Sequence, residues 1–185
     1  MNLLSIVILA IGLAADCFAV SVCKGMTTHQ LPWMRVILMA LLFGLFQGGM
    51  PLLTFFLGIG FAQYITPIDH WIAFVLLAFI GGKMIVESFK GEAEKSSQSF
   101  SWLTILTLAF ATSIDALAMG IIFVPYPHQI AMAVGIIAAT SFVASLAGSS
   151  IGFFFGKKFK LNVELIGGII LIGMGTKILI EHLFA

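Results

Sequence analysis

Leu13-Ala-Ala-Asp16-Cys-Phe-Ala-Val20 lies inside a long apolar run, and Thr112-Ser-Ile-Asp115-Ala-Leu-Ala-Met119 lies inside another. Each run is about 20 residues long, enough for a helix to cross a hydrocarbon core of roughly 30 Å. An ionised carboxylate at the centre of such a helix costs roughly 2.5–3.5 kcal/mol on insertion scales, so an aspartate there is read first as a functional residue. The two octapeptides align with Asp16 on Asp115 and Ala19 on Ala118, at an offset of 99 residues. Two carboxylates in matching places point to one site.

Working outward, 185 residues with 61% hydrophobic and only 9% charged side chains describe an integral membrane protein. Apolar stretches cover roughly 3–22, 36–61, 71–89, 102–123, 130–155 and 163–184, which predicts six transmembrane helices. A β-barrel would need ten-residue strands of alternating polarity, and none occurs, so the fold class is all-α. The first run starts near Met1 without a basic leader and contains Asp16, which makes it a retained helix and not a cleaved signal.

Further matches extend the repeat. Phe55-Phe-Leu-Gly-Ile-Gly-Phe61 resembles Phe153-Phe-Phe-Gly-Lys-Lys-Phe159 at an offset of 98, and Lys83-Met-Ile-Val-Glu87 resembles Lys177-Ile-Leu-Ile-Glu181 at 94. The chain therefore divides into a first three-helix repeat, 1–90, a polar linker, 91–100, and a second repeat, 101–185. An odd number of helices per repeat makes the second half enter the membrane from the opposite side, the inverted arrangement common in transporters. Asp16 and Asp115 each lie about 13 residues into their helices, which puts both near the midplane at roughly 1.5 Å per residue.

Net charge is only +1, but the basic residues are unevenly placed. Lys24 and Arg35 fall in the first predicted loop, Lys90 and Lys95 in the third, and Lys157, Lys158 and Lys160 in the fifth. By the positive-inside rule these loops are cytoplasmic and both termini lie outside. Trp33, Tyr64 and Trp71 suit interfacial anchors.

Two carboxylates held close repel each other unless a cation compensates them, and a divalent ion does so in one step. Oxygen ligands suit Mg²⁺, Ca²⁺ and Mn²⁺. Candidate helpers are Gln47, just before Gly48, Gly49 and Pro51, and Thr112, one turn before Asp115. Ser113 and Ser145, the latter the counterpart of Gln47, are second-rank candidates. Lys83/Glu87 and Lys177/Glu181 have i,i+4 spacing, which fits an ion pair, a gate, or side chains reaching for the interface. His29, His70, His128 and His182 fall in predicted loops or at helix ends.

Nothing in the sequence calls for an enzyme, a resident cofactor or a nucleic-acid partner, and no P-loop is present. Three other classes remain open beside a carrier: a membrane scaffold or metal sensor, a channel, and a membrane thiol electron carrier. The last is disfavoured because Cys17 aligns with Ala116 and the second half has no cysteine.

Leu13 to Ser21, His70-Trp-Ile-Ala-Phe-Val-Leu-Leu77, Gly81-Gly-Lys-Met-Ile85 and Ala111 to Gly120 together resemble the MntP family of bacterial manganese efflux pumps, in the LysE-like transporter superfamily. The resemblance implies a multi-pass exporter in the bacterial inner membrane, with Mn²⁺ as transported substrate and Asp16 and Asp115 as essential residues. It also draws attention to Gln47, where relatives carry Glu or Gln. Cys17 departs from the usual Ala after the first aspartate, which opens the question of softer ions.

Overall fold

With no water in hydrocarbon to satisfy the backbone, apolar runs of this length must pair their N–H and C=O groups internally, as helices do. The computed structural model describes residues 3–28, 31–89, 101–123, 125–158 and 163–184. Among these, all regular structure is helical: α1 (Leu3–Met26), α2 (Trp33–Ser88), α3 (Trp102–Thr112), α4 (Ile114–Ile122), a 3-10 turn at Pro127–Gln129, α5 (Ile130–Lys158) and α6 (Val163–Phe184). Three segments, Leu3–Met26, Trp33–Leu57 and Pro127–Gly156, are long and apolar enough to cross a membrane, and Trp102–Thr112 and Leu165–Lys177 are shorter apolar helices. Their outer faces carry exposed Leu, Ile and Phe, including Leu4, Ile8, Phe56 and Phe154. Trp33 and Trp71 are also exposed, while the Tyr64 side chain and the linker 91–100 lie outside the described residues.

Helix boundaries depart from expectation in three places. α1 runs on to Met26, so Lys24 sits in its last turn, buried, and not in a solvated loop. A cation there faces the negative end of the helix dipole. The connection expected near 62–70 is helical, making α2 a single element of 56 residues. The local reason is a lack of stop signals: between Phe61 and Ile80 there is no glycine, and Pro67 is the only proline. Both ends of α2 nonetheless serve one core cluster, Val36, Met39 and Phe43 from the first and Leu77 and Ile80 from the second.

The third departure matters most for function. The predicted helix 102–123 is broken at Ser113, whose backbone adopts φ −103° and ψ 3°. Two consecutive hydroxyls explain the break. Thr112 Oγ1 donates to the Leu108 carbonyl at 2.8 Å and Ser113 Oγ to the Ala109 carbonyl at 2.7 Å. Such back-bonding competes with the backbone ladder and bends or interrupts helices. The chain then restarts as α4, with Asp115 in its first turn.

Packing around this break relies on close backbone approach. α5 lies against α1, where a Cβ on Gly148 would come within 2.6 Å of the Phe18 carbonyl oxygen. α4 lies against α2 in the same manner, a Cβ on Gly120 falling 2.7 Å from Thr54 Cβ. Small residues at such contacts are what let membrane helices pack tightly, since lipid offers no hydrophobic drive to bring them together.

Candidate functional site

The buried face of α1 is set by helical periodicity: Leu13, Ala14, Cys17, Val20 and Ser21 are all enclosed. Asp16 stands at the margin of this face and is half-buried. Asp115 reaches it from the start of α4, and a side-chain hydrogen bond joins the two carboxyls. The structure thus brings Asp16 and Asp115 together. Backbone N–H groups of Asp115 and Ala116 also serve the Asp115 carboxyl. These are the orphan donors of a helix N-terminus, where the dipole favours negative charge. One carboxyl oxygen, Asp115 Oδ1, is buried without a hydrogen-bond partner.

Gln47, from the middle of the first part of α2, is completely buried. Its Nε2 donates to the Thr112 carbonyl at 2.8 Å, to the Leu13 carbonyl at 3.3 Å and to Cys17 Sγ at 3.3 Å. Two carbonyl oxygens on the same side settle the amide's orientation, because the flipped form would set Oε1 against both. One side chain thus ties α1, α2 and the end of α3 together. Its own Oε1 is left buried and unpartnered.

Thr112 enters the cluster mainly through its backbone. Its carbonyl accepts from Gln47, while its hydroxyl bonds the Leu108 carbonyl and reaches the Cys17 thiol. Ser113 acts by breaking the helix, and its hydroxyl is occupied by the Ala109 carbonyl. Ser145 is buried, but it donates to the Ser141 carbonyl at 2.7 Å within its own helix and does not extend the carboxyl cluster. Lys177 is exposed on α6. The side chains of Lys83, Glu87 and Glu181 lie outside the described residues, as do those of His29, His70 and His182.

Cys17, which the sequence offers both as half of a dithiol and as a departure from the usual Ala, lies at this cluster. It is fully buried, it touches Gln47 and Thr112, and both aspartates act on it electrostatically. The sequence signal was there: Cys17 follows Asp16 and lies one turn from Leu13 on the enclosed stripe. Cys17 and Cys23 are both free thiols.

Among the described residues, no three His, Cys, Asp or Glu side chains gather into a metal-binding group of the usual kind. A cation held between Asp16 and Asp115 would have to draw on uncharged oxygens as well. The unpartnered Gln47 Oε1 is of that chemistry, and Asp115 Oδ1 is the unpartnered oxygen of the carboxyl pair itself; hard divalent ions favour such oxygen donors.

Fold and site together define a multi-pass α-helical membrane protein with a polar cluster buried at a helix break. The chain belongs to the family described as "Putative manganese efflux pump", whose model matches residues 30–179. It is 47% identical over 184 residues to "Putative manganese efflux pump MntP" of Mannheimia succiniciproducens, covering 98% of each chain. A relative of the same name from Phocaeicola vulgatus is 49% identical over 188 residues, covering 100% of this chain and 99% of its own. A third, from Acetivibrio thermocellus, is 46% identical over 184 residues, covering 99% of this chain and 93% of its own. The family read from the sequence motifs is thereby shown, over 98–100% of this chain in the first two relatives. No solved structure matches.

Proposed function

We propose that this protein is a secondary transporter that exports Mn²⁺ from the cytoplasm, binding it between Asp16 and Asp115 with help from Gln47 and the Thr112 segment. The observation that carries this reading is a pair of touching intramembrane carboxyls, one of whose oxygens, Asp115 Oδ1, is buried without a partner, in a cluster where Gln47 Oε1 is likewise buried and unpartnered. Leaving such atoms unpaired costs about 1–3 kcal/mol each. A cation arriving there recovers that cost, and two carboxylates neutralise a divalent ion. The relatives' names supply manganese and the outward direction.

Alternating access through two inverted repeats accounts for the way the helices meet. Six crossings result if α3 and α4 form one broken span and α2 supplies two, Trp33–Leu57 and the part beyond Pro67. In this scheme α1 corresponds to α3–α4, and the first part of α2 to α5. The contacts obey that exchange: α1 packs on α5, and α4 on α2 near Thr54. In the last span of each repeat, a Cβ on Gly81 would come within 2.7 Å of the Gly168 carbonyl oxygen, and one on Gly175 within 3.4 Å of Phe74 Cα. Adding the repeat offset of 94 turns Gly81 into Gly175, and subtracting it turns Gly168 into Phe74. Contacts that survive exchange of the halves are what a two-fold axis between them requires, and rocking of one half against the other then exposes the site to either side.

Proton return is an economical drive for this cycle. Two carboxyls share a hydrogen bond only when one keeps its proton, so a proton can occupy the pair when the metal has left. Lys24 and Arg35, at the facing ends of α1 and α2, and Lys157 and Lys158, at the end of α5, still cluster at the odd connections, which supports a cytoplasmic side there and external termini in the bacterial inner membrane.

Reconstitution in liposomes tests the site. Asp16→Asn and Asp115→Asn, inserted at wild-type levels, are expected to lose Mn²⁺ flux down to the protein-free background. Mn²⁺ flux at the wild-type rate in either variant would overturn the assignment of that aspartate.

A further inference from the structure

We infer that Cys17 is a sulfur ligand in this same cation site and that it admits thiophilic divalent ions, Cd²⁺ and Zn²⁺, beside manganese. The inference rests on the site proposed above for its location and adds a donor of different chemistry. Cys17 is completely buried, and its Sγ lies 3.3 Å from Gln47 Nε2. The same Gln47 side chain, itself fully buried, carries the unpartnered Oε1, and the unpartnered Asp115 Oδ1 belongs to a carboxyl that acts on the thiol. The Cys17 thiol, the Gln47 amide and the Asp115 carboxyl therefore border one polar cluster, formed by α1, α2 and the α3–α4 break.

The thiol is an addition to an otherwise paired design, because the residue matching Cys17 in the second repeat is Ala116. Thiolate is a soft ligand, and divalent manganese stands at the weak end of the order in which first-row ions bind mixed donors. Adding one sulfur donor to hard oxygen ligands thus raises affinity for Zn²⁺ and Cd²⁺ more than for Mn²⁺. As the metal–sulfur bond forms, the thiol's S–H bond breaks and its proton leaves to water, so binding releases one proton from Cys17. Cys23 gives an internal comparison. It is also buried, on the same helix, but its charged neighbour is Lys24, which repels a cation.

The full chain, purified in detergent and titrated with Cd²⁺, provides the test through the ultraviolet sulfur-to-cadmium charge-transfer band. Wild type and Cys23→Ala are expected to develop this band to saturation at one equivalent, and excess Mn²⁺ to reverse it. Cys17→Ser and Cys17→Ala are expected to lose it, and Asp115→Asn to need at least tenfold more Cd²⁺. Thermal melting of Cys17→Ser close to wild type guards against simple misfolding, and Cys17→Ala supplies a second background if the serine variant is unstable. A band that persists without Cys17, that depends on Cys23, or that excess Mn²⁺ leaves unchanged would overturn the proposal. Mn²⁺ flux by the same wild-type preparation separates the two readings. Transport without a band sinks the sulfur ligand alone, and a Cys17-dependent band in protein that moves no Mn²⁺ sinks the transport reading alone.

Discussion

Gln47 carries two jobs on one amide, and substitutions can pull them apart. Gln47→Leu keeps most of the volume but removes both Nε2, which ties three segments together, and the unpartnered Oε1. The structural loss is dominated by the 2.8 Å bond to the Thr112 carbonyl, since the contacts to Leu13 and Cys17 are longer at 3.3 Å. Polar contacts between membrane helices average about 0.6 kcal/mol and reach about 1.7, so a loss of about 1–2 kcal/mol in thermal or denaturant stability is expected. The functional loss is separate. An oxygen ligand to a cation, valued like a hydrogen bond to a charged group at about 1.5–3 kcal/mol, corresponds to a tenfold to hundredfold rise in half-saturating Mn²⁺. Gln47→Glu retains an oxygen but replaces the donor, so it should destabilise the metal-free protein similarly while keeping half-saturating Mn²⁺ within about threefold of wild type. Both numbers come from Mn²⁺-dependent flux in liposomes beside melting curves in detergent. A Gln47→Leu protein with unchanged half-saturation would refute the ligand role of Oε1, whatever happens to its stability.

Two other perturbations probe the frame and the drive. Gly152→Ala would put a Cβ 2.9 Å from the Val22 carbonyl carbon and 3.0 Å from the Met26 nitrogen, backbone atoms that cannot swing aside. Overpacking of this kind costs about 1–3 kcal/mol, visible as a lower melting temperature, whereas Gly135→Ala, with nothing within 4 Å, should be neutral or gain up to about 1 kcal/mol. If proton return drives export, collapsing an imposed pH gradient should slow Mn²⁺ flux several-fold in wild-type liposomes. Flux indifferent to the gradient would remove protons from the mechanism and leave the metal site intact.

The aspartates are legible in one dimension because a charge in hydrocarbon is an outlier that no local context disguises. Asp16 and Asp115 stand out in this way, and the structure brings them together. Gln47 was legible as a candidate but not as an anchor, since its orientation depends on carbonyls of Leu13 and Thr112, which lie 34 and 65 residues away in the chain. Cys17 is legible as a thiol without a counterpart at Ala116 and as a departure from the usual Ala, but its neighbours in α2 and α3 are not. Ser145, matched to Gln47 by offset, turned out to spend its hydroxyl within α5, where a short side chain reaches its own backbone first.

Composition and hydropathy alone determined that this protein is helical and membrane-embedded, because the pairing of backbone groups in lipid is decided locally, turn by turn. They also determined which residues were too costly to be idle. Only the tertiary structure decided that the fourth predicted helix breaks at Ser113, that Asp115 thereby gains the free N–H groups of a helix start, and that Cys17 borders the same cluster. These outcomes depend on how distant segments satisfy one another's polar groups where water is absent, and that accounting closes only when the helices are packed.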